Sequence, residues 1–254
     1  MNAEKYVTGI IEPFRDLLER ITKGLWFHRP WHGEETAKIA YWLAVSGNVN
    51  ENLIPPIVIA AYLHDIGRGL DPQDHAKAGA QKAREILDTR YDGEVLELVC
   101  QAIAAHDVFS TETPEYLEGD ARVVAEIVRD ADLASFALPD SLFDLLYRNA
   151  LIIRELASFD PQAYYLNVLR MYRELYRSTE DRPVEDEAFK NFRYLTPKAK
   201  EMYRDGIRRN LELWERYGED FCEYVAGNLQ YFMSLSNLRD IENFVRDYVT
   251  STLT

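Results

Sequence analysis

Apolar residues recur every three to four positions along nearly the whole chain, and no run alternates convincingly with a period of two. That spacing belongs to helices buried along one stripe, not to half-buried strands. The sequence therefore predicts an all-α protein, with helices near 4–23, 32–47, 54–66, 74–89, 93–106, 121–136, 140–158, 161–178, 196–217, 219–233 and 236–250. Punctuation separates them: SGNVNEN precedes the third helix, DIGRGLDPQD follows it, and STEDRP falls near 178–183. Repeats, low-complexity tracts and Gly/Ser linkers are absent from the sequence.

Bulk properties narrow the function classes. The 254 residues are 47% hydrophobic, enough to bury the core of one large domain or two small ones. No stretch approaches the roughly 18 to 20 continuous apolar residues that a membrane span needs, so no membrane role is expected. The N-terminal MNAEKYVTGIIEPFRDLLER mixes charges of both signs on an amphipathic pattern, which reads as a helix of the fold and not as an export signal. Two cysteines, Cys100 and Cys222, sit in apolar helical contexts and read as buried free thiols of a cytoplasmic protein. The net charge of −14 argues against general nucleic-acid binding, which needs basic surface. A small anionic substrate stays open, because a bound cation and a few local Arg or Lys side chains can dominate the field inside a cleft.

Composition shifts after about residue 140. The first part is rich in Ala, Ile, Val and His, with no histidine beyond His106; the second is rich in Tyr, Arg and Leu, as in YYLNVLRMYRELYR. The expected organisation is an N-terminal helix over 1–24 packing on a chemical core at 25–137, then a C-terminal helical extension over 138–254 that serves as a lid or dimer surface. Within that extension Arg170, Arg173 and Arg177 are read as the salt-bridged outer face of a packing helix, and Tyr194, Tyr203 and Trp214 as core.

The stretch AAYLHDIGRG, Ala60 to Gly69, delivers a histidine and an aspartate from an oily helix and then stops at a glycine. Burying such groups costs several kcal/mol unless they are paired or bind a metal. His64 follows Ile57, Ala60 and Ala61 and so points inward, with Asp65 one step round the helix. His32 shares the buried stripe of Thr36, Ile39, Ala40 and Leu43. His106 ends the apolar face of Val95, Val99, Ala102 and Ile103, and His75 lies with Gly79, Ala83 and Ile86. One inward histidine is ordinary; several at the ends of separate helices suggest a metal site. In AEIVRDADLASF, Asp130 and Asp132 lie on opposite flanks of the apolar stripe, and periodicity does not choose between them. Nitrogen and oxygen donors of this mixture suit Mn, Fe, Ni, Zn or Mg.

These segments, taken in order, resemble the H…HD…D pattern of the HD-domain superfamily of metal-dependent phosphohydrolases. His32 supplies the first member, His64–Asp65 the HD pair and Asp132 in DADL the last. LHDIGRG is similar to the family's LHDIGK-type segment, DHAKAGAQKAREIL to its HxxxGAxxAxxIL helix, AIAAHD to its next histidine-bearing helix and VRDADLAS to its closing segment. The resemblance covers roughly 25–137 and implies an HD-type helical bundle. It makes His32, His64, Asp65 and Asp132 the ligands of a divalent metal ion, and prefers Asp132 to Asp130. His75 and His106 match positions that approach the site, where they hold a second metal, contact phosphate or shuttle a proton. Two departures stand out: Arg68 occupies a position where Lys is frequent, and the second histidine helix reads HD where some two-metal members have a double histidine.

The chemistry implied is hydrolysis of a phosphate ester or phosphoanhydride in a small phosphorylated compound, a nucleotide first among the candidates, by attack of a metal-activated water. In this reading Asp65 orients the water, Arg68 and Lys77 neutralise phosphate charge, and His75 or His106 protonates the leaving oxygen. Two alternatives keep the scaffold: a di-iron oxygenase with a second iron at His75 and His106, and a non-catalytic sensor or scaffold holding one structural metal. A homodimer is expected on the family resemblance alone.

Overall fold

The structure, a computed structural model, describes residues 3–110 and 112–253. Residues 1–2, 111 and 254, at the ends of the expected N-terminal and C-terminal segments and within the expected core, lie outside the described residues. The protein is all-α: helices connected by turns, with no β-strand among the described residues and one isolated bridge between Lys23 and Leu25. No helix among the described residues is long and apolar enough to cross a membrane. The chain divides into two compact units, the first running up to Ser135 and taking in Tyr194–Glu201, the second comprising Phe136–Arg193 and the chain from Met202 on. The Tyr194–Glu201 segment thus belongs with the first unit, although the sequence reading assigned all of 138–254 to one extension.

The first unit is built around α4, Ile54–Leu63. Its sequence IPPIVIAAYL opens with prolines in the first turn, where a missing N–H costs nothing. With Ile57 to Ala61 and Leu63 all fully buried, α4 is apolar on every face and so must be enclosed. It is packed by α1 (Ala3–Ile11), α3 (Pro30–Ser46), α6 (Gly93–Ala105) and α7 (Gly119–Leu133). α3 crosses α4 at Gly33, where a Cβ would lie 2.6 Å from the Tyr62 carbonyl oxygen. Between α1 and α3 runs α2, Arg15–Ile21. The expected single helix over 4–23 is interrupted by a 3₁₀ turn at Glu12–Phe14; Pro13 has no N–H to continue the α ladder. α5, His75–Leu87, packs on α6 and on the 3₁₀ turn Ile66–Gly69.

The second unit holds α8 (Leu142–Ile153), α9 (Pro161–Thr179), most of α10 (Pro197–Gly227), α11 (Leu229–Ser234) and α12 (Leu238–Leu253). Ser141 and Asp160 cap α8 and α9 through their side chains. The sequence predicts a break at Gly218, yet α10 runs through it. The glycine serves packing: a Cβ there would sit 2.6 Å from the ring of the fully buried Trp214. Arg170, Arg173 and Arg177 are ion-paired with Asp186, Glu215 and Glu185, respectively, and Tyr203 and Trp214 are both buried. Cys100 and Cys222 are buried free thiols.

Candidate metal centre

Five helix ends in the first unit deliver ionisable side chains to one place. α3 presents His32 in its first turn, α4 ends on His64 and Asp65, α5 begins at His75, α6 ends on His106, and α7 carries Asp132 in its last turn. Gly67 lets this happen, by closeness and not by an unusual backbone angle. A Cβ on Gly67 would sit 1.9 Å from the His75 carbonyl oxygen, so only glycine allows the turn after Asp65 to press against the start of α5.

Asp65 lies at the centre, and its two oxygens face different partners. Oδ2 is 3.0 Å from His64 Nε2 and 3.6 Å from His32 Nε2. Oδ1 is 3.5 Å from both His75 Nε2 and His106 Nε2, and accepts a 2.7 Å hydrogen bond from Arg68 Nε. Asp132 Oδ1 closes the first group, 3.2 Å from His32 Nε2 and 3.4 Å from His64 Nε2. Two sets result, each with its ligand atoms within 4.8 Å of one another: His32, His64, Asp65 and Asp132, and Asp65, His75 and His106. Two ligands about 2.1 Å from one ion at a right angle stand about 3 Å apart, so these separations are on the scale of shared coordination.

The donors fit a divalent cation on three grounds. His64 Nδ1 donates to Ala61 O at 2.8 Å and His106 Nδ1 to Ile103 O at 2.6 Å, which aims each Nε2 at the carboxylates, where it can coordinate a cation in place of a proton. The buried Nε2 atoms of His64, His75 and His106 have no hydrogen-bond partner among the described residues. Buried polar atoms are otherwise almost always satisfied, so these await something. The electrostatics agree. Burial opposes charge on Asp65, but Arg68, His64 and His28 hold it well below the usual carboxylate range. Burial is likewise outweighed at Asp132 by His64 and His32. At His64, burial disfavours the charged ring, yet Asp65 and Asp132 push it up to about 10. His75 moves the other way, to about 4, through burial and the nearby Arg68 and His106. The two carboxylates draw positive charge into the interior, and a proton on His64 supplies it in the metal-free chain.

A family model of the HD domain matches residues 32–137. That segment is an HD domain. The HD domain is the fold of a superfamily of metal-dependent phosphohydrolases, and its all-α architecture is the one described above. No curated protein and no solved structure matches the chain. The HD domain contains both ligand sets, from His32 at its first residue to Asp132 near its end.

Around the HD domain's cluster, other residues fall into clear places. Asp130, which periodicity left equal with Asp132, accepts hydrogen bonds from Leu195 N, Thr196 N and Thr196 Oγ1 at 2.7, 2.8 and 2.6 Å. Burial pushes its carboxyl up to about 7 despite these donors. It fastens the Tyr194–Glu201 segment and contributes nothing to the ligand sets. Arg68 stays beside Asp65 with 31% of its side chain exposed. Lys77 is exposed on α5, two residues and about 200° round from His75, and is not brought to the cluster. The fifth histidine, His28, has its Nε2 3.8 Å from Asp65 Oδ2 and its ring edge-on to His32. Sequence reasoning missed it because it precedes α3, where helical periodicity says nothing. The available signal was its place four residues before His32 in the sequence.

Proposed function

We propose that the chain is a hydrolase of phosphate ester or phosphoanhydride bonds in a small phosphorylated compound, with nucleotides the first class to test, and that it holds two divalent ions. The observation that carries this is the division of Asp65: one oxygen faces His32 and His64, the other faces His75 and His106. A single carboxylate serving two histidine pairs suits a pair of neighbouring cations. When bound, divalent ions supply an acidified water and neutralise charge that develops on phosphoryl oxygens.

The chain's own residues do the rest. His32, His64, Asp65 and Asp132 would hold the first ion, and Asp65, His75 and His106 the second. Arg68, tied to Asp65 through Nε, is a partly exposed cation and binds a phosphate oxygen with its remaining N–H groups. Mn, Fe, Ni, Mg and Zn all suit the donor set.

Purified protein loaded with each of these metals should release phosphate from one or more members of a panel of nucleotides and phosphate esters. Asp65→Ala should lower that release on the order of 10³-fold or more, since it removes a ligand from both ions. Phosphate release that survives Asp65→Ala would defeat the reading. A second reading rests on the same observation, because a carboxylate shared by two histidine pairs would also suit a di-iron oxygenase. Two irons per chain with oxygen uptake and no phosphate release would decide for it.

A further inference from the structure

Arg129 is wholly buried on α7, three residues before Asp132. A guanidinium so deep persists only where its donors are engaged. Its Nη2 donates to Ala105 O at 2.8 Å and to Asp107 O at 3.2 Å, and its Nε to His106 O at 3.3 Å. Glu115 lies 3.8 Å from its Nη1. The three carbonyls are consecutive and stand at the end of α6, where helical geometry leaves carbonyls without partners and a positive charge is welcome. One side chain therefore fixes the backbone before, at and after His106. From that backbone hang one member of the second ligand set, His106, with Nε2 3.5 Å from Asp65 Oδ1, and the neighbour of another, the Asp107 carboxylate, 3.9 Å from His75 Nδ1.

We propose that Arg129 is the positioning residue of the Asp65–His75–His106 set, clamping the end of α6 so that His106 and Asp107 keep their aim. The role in metal binding rests on the two-ion reading above; the control of His106 does not. Arg129 touches no reacting atom, and it acts through the three carbonyls it binds.

The test uses the full chain as wild type, Arg129→Gln and Arg129→Lys, the last keeping a cation at the helix end should Arg129→Gln fail to fold. Long-range proton–nitrogen NMR of the imidazoles in the metal-free protein reads each histidine's tautomer. Titration with Mn²⁺ alone reads site number and affinity. His106 should be a single Nδ1–H tautomer in the wild type and a mixture in the variants, with His64 unchanged. One Mn²⁺ site should weaken about 10- to 100-fold, the typical cost of losing an outer partner, while the other keeps its affinity. An unchanged His106, or equal weakening of both sites together with His64, would overturn the proposal. If the wild type takes up one Mn²⁺, the two-ion reading fails, and the His106 tautomer still decides the role of Arg129.

Discussion

Two groups of buried polar side chains, one in each unit, spend their bonds in opposite ways. In the second unit, several buried polar side chains spend their bonds on the fold: Asn149 donates to Leu145 O and accepts from Tyr164, Ser178 donates to Leu175 O, and Glu174 accepts from the backbone of Glu185 and Asp186. In the first, His64 and His106 spend one ring nitrogen on the backbone and keep the other, buried and without a hydrogen bond, aimed at carboxylates. The former arrangement stabilises a structure, since each satisfied bond contributes about 0.5 to 1.5 kcal/mol net. In the latter a proton or a cation has to complete the charge balance. What distinguishes the first unit is that its unpartnered ring nitrogens converge on two carboxylates.

Asp130 and Asp132 bring both treatments into one helix, two residues apart, and offer the sharpest way to break the distinction. Asp132→Ala should weaken Mn²⁺ binding at the first ligand set by more than about 100-fold, beyond the usual cost of an outer partner. Asp130→Ala should leave Mn²⁺ affinity unchanged but lower unfolding stability by about 2 to 4 kcal/mol, because two backbone N–H groups and a hydroxyl lose their acceptor. Calorimetric titration and urea denaturation of the two variants read both quantities. If Asp130→Ala loses the metal while Asp132→Ala keeps it, the assignment is reversed.

Much of this was legible in the sequence, for identifiable reasons. The helical class follows from a periodicity that nothing interrupts for long. His32, His64, His75 and His106 could be found because each lies on or at the end of an apolar stripe, where a polar residue stands out. What periodicity lacks is distance. It could not choose between Asp130 and Asp132, since both flank the stripe, and only the resemblance to HD domains favoured Asp132. It could not see His28, which lies outside a helix, nor Arg129, whose three acceptors are carbonyls some twenty residues earlier in the chain. Gly218 shows the reverse failure: read as a stop, it is a space for Trp214 within a continuous helix.

A proton on His64 stands in for the cation, so pH should sharpen the contrast between the units. His64 is raised to about 10, against roughly 6.5 in an unfolded chain. A raised base contributes stability that is complete below the unfolded value and is lost as pH climbs toward the folded one. Asp65 and Asp132 are depressed, so their contribution is complete above about 4 and is lost only at lower pH. His75, lowered to about 4, and Asp130, raised to about 7, pull in opposite directions on the acid side. The alkaline window is therefore the informative one. In EDTA, the urea midpoint should fall from pH 7 to pH 8.5. With saturating Mn²⁺ the decline should flatten, because the cation takes the proton's place. A midpoint that rises with pH in EDTA would contradict the charge balance drawn for the cluster.

The smallest effect concerns Lys77, which the sequence grouped with Arg68 as a phosphate contact. Both follow the HD pair closely, but the structure separates them. Arg68 is bonded to Asp65, whereas Lys77 is exposed on α5, about 200° from the face that carries His75. An exposed charge acts on a distant phosphate only through solvent, and 0.15 M salt screens it beyond about 8 Å. Lys77→Glu, a full reversal of charge, should therefore change kcat/KM by no more than about twofold at that ionic strength, corresponding to about 0.4 kcal/mol. A larger effect that grows as salt is diluted would mean long-range steering. A tenfold loss that ignores salt would put Lys77 against the substrate, and the face of α5 opposite His75 would then have to be counted as part of the site.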